Sequence, residues 1–303
     1  MEKFEVHILG CGSALPTAKH LPTSQVVDLR DKLFMIDCAE GTQLQLRRQK
    51  LKFSRLNHIF LSHLHGDHCF GLIGLFSTFD LLGRTSKLHV YSPGDDLERL
   101  MRPWLDYFCR GMSYEVVFHA VKWKEHHIIY EDRTLTVETL PLRHRVPCCG
   151  YLFREKAPLP HIRRDMIDFL KIPFHAIGNI KAGWIDETGK TWPNARLVFP
   201  SDPARSYAYC SDTVYLPELA DHLRDVDLLF HEATFADDAE KRARETFHST
   251  ARQAAALARD AAAKRLVIGH FSARYDDENL LLREAQSVFP HTILAHEGLK
   301  LSI

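Results

Sequence analysis

Residues 60–72 read FLSHLHGDHCFGL, and this short stretch decides the fold. Three histidines and one aspartate fall within six positions, directly after the apolar run of a predicted strand: His63, His65, Asp67 and His68. A strand that turns into a helix at this point would aim the four side chains at one place, and imidazole with carboxylate is the ligand set that suits zinc. Because a single ion cannot use all four groups at this spacing, the stretch predicts a site for two metal ions.

Length and composition limit what the rest of the chain can be. The 303 residues suffice for one large domain or two ordinary ones, and 45% hydrophobic with 26% charged residues is the balance of a globular protein. No apolar run is long enough to cross a bilayer, and the first residues, MEKFEVHILG, lack the apolar core of a secretory signal. Seven cysteines without tight spacing favour reduced thiols, so we expect a cytoplasmic protein with no membrane partner. A net charge of zero does not announce a nucleic-acid partner, so any basic surface must be local.

Segments with the periodicity of strands and of helices alternate along most of the chain. Two runs of strands, each accompanied by helices, predict an α/β fold in which two sheets pack face to face with helices outside. The closing strand is expected to span residues 292–303. Residues 154–196 are irregular and contain several prolines and glycines, and we interpret them as an arm inserted in a single domain that spans 1–303.

Three further candidate ligands follow apolar runs at the ends of predicted strands. His144 follows LTVETLPLR, Asp212 follows YAYCS, and His270 follows LVIG. Because loops gather into functional sites at strand ends, these residues could complete the coordination begun by the first cluster. Each of them alone is more often a cap or a solvated residue, but their shared position after a strand favours metal binding.

Seven short stretches are spread from one end of the chain to the other: LGCGSALPT, DCAEGTQ, SHLHGDH, YCSDT, HEATF, HST and GHFSARY. Together they resemble the ribonuclease Z family, the endonucleases of the metallo-β-lactamase superfamily that trim the 3′ end of precursor tRNA. SHLHGDH alone is typical of the whole superfamily, whereas HEATF followed by HST and FSARY is much more specific. The resemblance implies a four-layer αββα sandwich of the metallo-β-lactamase type, precursor tRNA as the substrate, and a homodimer.

The resemblance also implies how the ligands share the ions. One ion would be held by His63, His65 and His144, and the other by Asp67, His68 and His270. Asp212 would bridge the two ions. Each subunit would then hold two Zn²⁺ ions. Seven nitrogen and oxygen ligands with a shared water suit a two-metal site whose ions lie about 3.5–4 Å apart.

Catalytic roles for three residues follow from the same resemblance. Asp67 would accept the proton of the attacking water besides binding a metal, and Glu232 with His248 would protonate the leaving ribose 3′-oxygen. From the residues alone, Glu232 could equally be a cap before the helix that follows it. His248 could likewise be an N-terminal helix residue beside the capping-type pair Ser249 and Thr250.

Three residues are candidates for binding phosphate: Ser272, Arg274 and Lys181. The guanidinium of Arg274, near His270, is suited to grip a phosphate oxygen with two hydrogen bonds, although a surface salt bridge would explain this arginine as well. Asp37 and Glu40 of DCAEGTQ could orient the imidazoles of metal ligands or could simply form a turn.

The arm is more basic than the rest of the chain. Residues 154–196 carry eight lysines and arginines against five acidic residues, in a chain of net charge zero. By the resemblance, this segment is a flexible arm that grips the body of the tRNA, and the arm of one subunit serves the active site of the other. Its basic residues would bind phosphates without reading sequence. The alternative is a solvated loop whose aromatic residues pack on its own short helices.

One stretch departs from the family pattern. The family's loop after the first strand reads close to P-T-K-x-R-N, whereas residues 16–21 here read PTAKHL. The basic residues are displaced or replaced, and the asparagine is missing. Since the family links this loop to handling of the tRNA 3′ end, discrimination against ends that carry CCA is left open.

Two other classes of function compete with this interpretation. Another hydrolase of the same fold, such as a small-molecule phosphodiesterase or a thioester hydrolase, would keep the metal ligands. Such an enzyme would have no use for the HEATF and HST pair or for a long arm. An RNA-binding protein with a dead centre would be expected to lack a ligand or Asp67, and the sequence lacks none of them.

Overall fold

Most of the strands and helices lie where the apolar periodicity predicts them, with their ends shifted by a few residues. The computed structural model describes residues 2–157 and 160–303. Its strands are β1 (Phe4–Gly10), β2 (Ser24–Leu29), β3 (Lys32–Ile36), β4 (Leu56–Phe60), β5 (Leu88–Pro93), β6 (Val116–Val121), β7 (Ile128–Glu131), β8 (Leu135–Pro141), β9 (Cys149–Glu155), β10 (His161–Ile162), β11 (Trp184–Ile185), β12 (Thr191–Trp192), β13 (Val198–Phe199), β14 (Ser206–Cys210), β15 (Leu228–Glu232), β16 (Leu266–Gly269), β17 (Thr292–Leu294) and β18 (Lys300–Ser302).

The helices are α1 (Thr42–Arg48), α2 (Gly66–Cys69), α3 (Leu72–Leu81), α4 (Asp96–Phe108), α5 (Arg164–Phe169), α6 (Asn194–Leu197), α7 (Glu240–Thr246), α8 (Ala251–Asp260) and α9 (Asn279–Gln286). Four 3₁₀ segments also occur in the described ranges, at Phe53–Arg55, Phe174–Ala182, Pro217–Asp221 and Asp237–Ala239. Among the described helices, none has the length and apolar character needed to cross a membrane.

Two seven-stranded sheets form the body, in the orders β18-β1-β2-β3-β4-β5-β6 and β17-β16-β15-β14-β9-β8-β7. Strands β3 to β6 run parallel to one another in the first sheet, and β14 to β17 do so in the second. Parallel neighbours bring their carboxyl ends, and the loops that follow, to the same edge of a sheet. Each sheet therefore offers one edge at which several loops can meet.

The interface between the two sheets is filled by aromatic side chains. Phe34 and Phe60 of the first sheet contact Phe153 of the second, with ring centroids 5.9 and 5.7 Å apart. Phe60 also lies 5.4 Å from the ring of Tyr151. All four are fully buried, and burial of such a side chain contributes about 1.5–3 kcal/mol. This face-to-face contact therefore stabilises the relative position of the two sheets.

Helices cover the outer face of each sheet. On the first sheet, α3 and α4 bury Phe76, Phe79 and Leu97. On the second, α8 and α9 bury Leu257 and Leu281. Helix, sheet, sheet and helix follow one another, and the predicted four-layer αββα sandwich is confirmed.

The prediction of one closing strand over 292–303 was wrong. β17 pairs with β16 in the second sheet, whereas β18 pairs with β1 in the first. Between them the backbone of Gly298 adopts a φ of 85°, which glycine accepts without strain. The alternating apolar residues of this segment fit either sheet, so the periodicity alone does not reveal that the chain crosses between them.

The inserted segment has more order than the irregular loop that the sequence suggested. Trp184 lies opposite Trp192 in a short hairpin of β11 and β12, and β10 pairs with β13. Four buried side chains form a small core that is separate from the body: Ile167, Ile172, Ile180 and Leu197. Its aromatic residues pack partly on this core, as the alternative interpretation proposed, while Phe169 and Phe174 remain 72% and 91% exposed.

Candidate metal centre and active-site cleft

The seven predicted ligands converge at the carboxyl ends of strands from both sheets. The first sheet supplies those that follow β4, which are His63, His65, Asp67 and His68; the second supplies those that follow β8, β14 and β16, which are His144, Asp212 and His270. Five of them line a cleft of about 290 Å³: His65, Asp67, His144, Asp212 and His270.

One group of ligand atoms comes from His63, His65, His144 and Asp212. Nε2 of His63 lies 2.9 Å from Nδ1 of His65, and Nε2 of His144 lies 3.3 Å from the same atom. Oδ2 of Asp212 faces them, 3.7 Å from the nitrogen of His63 and 3.8 Å from that of His144. Three imidazole nitrogens and one carboxylate oxygen thus surround one point.

A second group comes from Asp67, His68 and His270. Oδ2 of Asp67 lies 3.4 Å from Nε2 of His68 and 4.0 Å from Nε2 of His270. Oδ1 of Asp212 lies 3.4 and 3.2 Å from the same two nitrogens. The carboxylate of Asp212 therefore turns one oxygen towards each group, as a bridging ligand would.

Unpaired nitrogen atoms in this cluster fit bound metal ions. Nε2 of His68 and Nε2 of His270 are buried and have no hydrogen-bond partner within the described part of the chain. A buried polar atom without a partner is costly unless a ligand completes it. A donor set of imidazole nitrogens and carboxylate oxygens is the one that zinc accepts. The residues present therefore fit the two ions that the sequence predicts.

Burial sets the charge of the first group. It lowers the pKa of the His63, His65 and His144 imidazoles, and neutral imidazole is the form that binds a metal. Burial alone would raise the pKa of Asp212, but the surrounding histidines, His270 first, hold it well below its ordinary value. The first group therefore combines three imidazoles of lowered pKa with an ionised carboxylate, whereas in the second group the carboxylates of Asp37 and Asp212 outweigh burial and raise the pKa of His68.

Asp37 orients one of these ligands. Its Oδ2 accepts hydrogen bonds from Nδ1 of His68 at 2.8 Å and from the hydroxyl of Tyr209 at 2.7 Å, and its Oδ1 accepts one from the backbone N–H of Ser62 at 2.7 Å. The bond to Nδ1 leaves Nε2 of His68 directed at the metal position. Glu40, the other residue considered for this role, is exposed.

Three of the site residues adopt left-handed backbone conformations. The φ angles are 57° for Asp37, 61° for Asp212 and 59° for His270, and each residue closely follows the end of a strand. Residues other than glycine rarely adopt this conformation, and it costs of the order of 1 kcal/mol or more. The abrupt change of direction turns each side chain out of the sheet and into the site.

Glu232 and His248 form a hydrogen-bonded pair beside the ligands. Oε1 of Glu232 lies 2.9 Å from Nδ1 of His248, and the carboxylate also accepts from the backbone N–H groups of Thr213 and Ser249 and from the hydroxyl of Thr234. Although burial opposes the charged form, Glu232 raises the pKa of His248 to about 9.

The alternative roles considered for the pair are not the ones observed. Glu232 is fully buried at the end of β15. Thr250, not His248, caps α8, with its hydroxyl accepting from the backbone N–H of Gln253. The imidazole of His248 stays free to face the cleft, and its ring centroid lies 5.2 Å from that of His144 and 5.3 Å from that of His270.

Ser272 and Arg274 lie on the rim of the same cleft. The guanidinium of Arg274 packs 4.7 Å from the ring centroid of Phe235, and its Nε lies 3.3 Å from the hydroxyl of Ser272. It makes no ion pair within the described ranges, so the surface salt bridge considered for it is not observed. The side chain of Lys181 lies outside the part of the chain that the structure describes.

Sequence reasoning missed two cleft cations, Arg145 and Arg242. Arg145 directly follows the ligand His144, a signal that was available in the sequence. Arg242 lies on α7, between the HEATF and HST motifs, and only the fold brings it to the cleft. With Arg274, they put three cations around the cleft, of which Arg242 also lies 3.8 Å from a carboxylate oxygen of Glu245. Such a cluster favours a polyanionic substrate.

Comparisons with known proteins agree with this architecture. A family model described as anti-Pycsar protein Apyc1 matches residues 4–157, and one described as a beta-lactamase superfamily domain matches residues 170–271. The crystal structure of human tRNase Z, short form, has 24% identity and a TM-score of 0.72, and 99% of each chain is covered. The metallo-beta-lactamase fold protein YhfI from Bacillus subtilis has 18% identity and a TM-score of 0.70, with both chains fully covered. These likenesses show the fold.

Curated relatives are much more similar. Ribonuclease Z of Phocaeicola vulgatus is 62% identical over 306 residues, which cover 100% of this chain and 98% of the relative. Ribonuclease Z of Bacteroides fragilis is 60% identical over 305 residues, and that of Porphyromonas gingivalis is 52% identical over 305 residues, with both chains fully covered in each comparison. The chain therefore belongs to the ribonuclease Z family of the metallo-β-lactamase superfamily.

Proposed function

We propose that this protein is a zinc-dependent endoribonuclease that removes 3′ trailers from precursor tRNA. It would leave a 3′-hydroxyl on the tRNA and a 5′-phosphate on the trailer. The observation that carries the proposal is the Glu232–His248 pair, hydrogen-bonded at 2.9 Å on the same cleft as the two groups of metal ligands. A hydrolase that only needed an activated water would not require a charged imidazole beside the metal ligands.

Each of the two groups of ligands would hold one metal ion. His63, His65 and His144 would bind one Zn²⁺ and Asp67, His68 and His270 the other, with Asp212 between them. When bound, the ions would supply an activated water and neutralise charge on the phosphate. The chain's own groups would then have to orient the phosphodiester and move two protons.

Asp67 would receive the first proton. Although burial opposes it, the neighbouring histidines lower the pKa of its carboxyl, so the group is ionised at neutral pH. Its Oδ2 faces His68 and His270 at the floor of the cleft. As the attacking oxygen bonds to phosphorus, its proton would pass to this carboxylate.

His248 would give the second proton. Cleavage breaks the bond between phosphorus and the ribose 3′-oxygen, and the departing oxygen is a poor leaving group unless it is protonated. With a pKa of about 9, the imidazole is charged at neutral pH and can donate that proton. Glu232 would hold the ring by its Nδ1 and keep Nε2 as the donor.

We propose that Arg274, with Ser272 beside it, binds a phosphate oxygen at the cleft, and that Lys181 adds a phosphate contact from the arm. The guanidinium carbon lies 4.7 Å from the centroid of the Phe235 ring, and this contact with Phe235 limits the rotation of the side chain. Segment 154–196 would bind the tRNA body in the cytoplasm, and its exposed Phe169 and Phe174 offer surfaces for stacking. We also propose a homodimer in which each arm serves the other subunit's cleft.

The test is cleavage of a 3′-extended precursor tRNA by purified protein, with the cut and its termini mapped. We expect one chelator-sensitive cut after the discriminator base, with a 3′-hydroxyl on the tRNA. No cut, together with turnover of small phosphodiesters or thioesters by metal-loaded protein, would assign the centre to another hydrolase of this fold. A second series with CCA-bearing tRNA would show whether the altered loop 16–21 still rejects mature ends.

A further inference from the structure

A second cleft, larger than the catalytic one, lies at the far end of the first sheet. Its volume is about 550 Å³, and it is bounded by the start of β1, by β2 and by the segment that joins α1 to β4. The metal ligands follow the end of β4, whereas this cleft lies beside its beginning. It therefore takes no part in the site described above. We call it the basal cleft.

The rim of the basal cleft is strongly basic. Residues 46–55 read LRRQKLKFSR, with five cations and no acidic residue in a chain of net charge zero. Arg55 pairs with Asp31 at 2.5 Å. Arg48, Lys50 and Lys52 line the cleft, are exposed, and form no ion pair with any described residue. Three uncompensated cations around one concavity attract an anion, and phosphate is the anion such a rim suits.

The floor of the basal cleft holds buried polar atoms that nothing in the described chain satisfies. Alternation along the strands turns His7 and Asp28 to the outer face of the sheet, where they are only 6% and 2% exposed. Within the described part of the chain, Oδ1 of Asp28 and Oε1 of Gln49 have no hydrogen-bond partner, and Nε2 of His7 has none either, although Oε2 of Glu5 lies 3.6 Å from it. The amide of Gln49 is fixed, since its Nε2 donates to the carbonyl of Ile8 at 2.7 Å. Such atoms need a partner from outside the chain.

A metal ion is not the partner that this floor suits. The ammonium of Lys3 hydrogen-bonds to Asp28 and lies 3.2 Å from Oε2 of Glu5, the residue opposite Asp28 in the sheet. Lys3 thus already occupies the place between the two carboxylates that a cation would take. Bare phosphate would satisfy the rim but would leave the acceptors Asp28 Oδ1 and Gln49 Oε1 without donors.

We propose that the basal cleft binds a nucleotide. Its phosphate would lie among Arg48, Lys50 and Lys52, and its ribose hydroxyls or base amino group would donate to Asp28 and Gln49 on the floor. The nucleotide could be free or could be one unit of an RNA chain, because both present the same groups. This site goes beyond the proposed nuclease activity, and binding here does not depend on it.

The test is calorimetric titration of the metal-loaded full chain with AMP, inorganic phosphate and a 5′-phosphorylated oligoribonucleotide. The variant Lys50→Glu/Lys52→Glu removes rim charge, and Lys87→Glu/Arg133→Glu is the control, with the same change in net charge at exposed residues outside the cleft. Nucleotide bound at the metal centre would contribute equally to all three proteins. We expect the rim variant to weaken AMP binding in the basal cleft by about tenfold or more and the control to leave it nearly unchanged.

Other results of the titration would overturn the proposal or identify the source of the nucleotide. If AMP binding is weakened equally in the rim variant and in the control, the effect is one of overall charge and the proposal is overturned. If inorganic phosphate binds as tightly as AMP, the floor does not recognise the nucleoside, which also overturns the proposal. If the oligoribonucleotide binds more tightly than AMP, and the rim variant weakens both, the ligand is a unit of an RNA chain. If the oligoribonucleotide and AMP bind with equal affinity, the ligand is a free nucleotide. A photoreactive 8-azido-AMP should label the peptide that contains residues 46–55 in the wild type and in the control but not in the rim variant. Labelling confined to peptides of the catalytic cleft would overturn the site. Both variants should still cut precursor tRNA, which keeps failure here distinct from failure of the nuclease proposal.

Discussion

Replacement of Glu232 by glutamine tests whether the charge of Glu232 keeps His248 protonated for its proposed role as general acid. The substitution keeps the shape of the side chain but removes the negative charge that holds the proton on His248. In the structure that charge outweighs burial and raises the pKa of His248 from 6.5 to about 9. Without it, burial is the main remaining influence, and the pKa should fall to 6.5 or below. A change from 9 to 6.5 corresponds to about 3 kcal/mol of preference for the charged imidazole.

The loss of rate should therefore depend on pH. If only protonated His248 supports cleavage, the wild type loses activity as pH rises through the pKa of about 9, whereas Glu232→Gln loses it as pH rises through 6.5. At pH 8 the variant should be slower by about thirtyfold or more, and at a pH below both pKa values it should be nearly as fast as the wild type. Bound zinc would lower both pKa values, because it is positive, but the separation that Glu232 causes would remain.

Single-turnover cleavage of precursor tRNA between pH 5.5 and 9.5 is the assay. The amide cannot accept all the hydrogen bonds that Thr213, Thr234 and Ser249 donate, so a loss of stability of about 1–3 kcal/mol is expected and should be followed by thermal unfolding. An equal loss of rate at every pH would refute the reasoning, because it would indicate a structural role. Glu232→Gln/His248→Ala should be no slower than His248→Ala if the two residues act as a unit.

Three further outcomes follow from the site and the arm. Asp67→Ala should abolish cleavage while leaving tRNA affinity in a filter-binding assay largely intact; a comparable loss of binding would contradict the assignment of Asp67 to the reaction. Deletion of residues 156–192 should strongly weaken tRNA binding but spare hydrolysis of bis(p-nitrophenyl) phosphate, because the arm has its own small core; loss of both would make the arm a folding element. Asp37→Asn should weaken metal binding about 10–100-fold in chelator competition, because it removes the carboxylate that orients His68, whereas the exposed Glu40→Gln should leave it unchanged.

The metal centre was predictable because its chemistry restricts the residue types. Only a few side chains bind zinc, and FLSHLHGDH puts four of them at the end of one strand. His144, Asp212 and His270 could be added because each follows an apolar run, and the carboxyl ends of strands meet. The structure brings all seven together. The orienting role of Asp37 was foreseen only as one of two possibilities, since the same residue also occupies a turn.

Features that depend on distant residues were not predictable. The basal cleft joins the start of β1 to the segment after α1, and the acceptors on its floor become visible only once their neighbours are known. The left-handed backbone of Asp37, Asp212 and His270 has no sequence signal, because these residue types are chosen for their side chains. The arm's core escaped notice because four isoleucines and leucines among prolines and glycines show no clear period.

The two halves of the chain contribute differently to the proposed reaction. Residues 4–157, the range of one family model, carry five of the seven ligands; residues 170–271, the range of the other, carry Asp212 and His270 with the Glu232–His248 pair. A metal site whose ligands come from both sheets can form only when the two sheets are packed together. Metal binding and folding are therefore thermodynamically linked. The proposed proton donor and most of the arm, in contrast, belong to the second half alone. Changes in the arm or around the Glu232–His248 pair could alter which phosphodiester is cut without replacing a metal ligand. In this fold the choice of substrate can therefore vary independently of the metal chemistry.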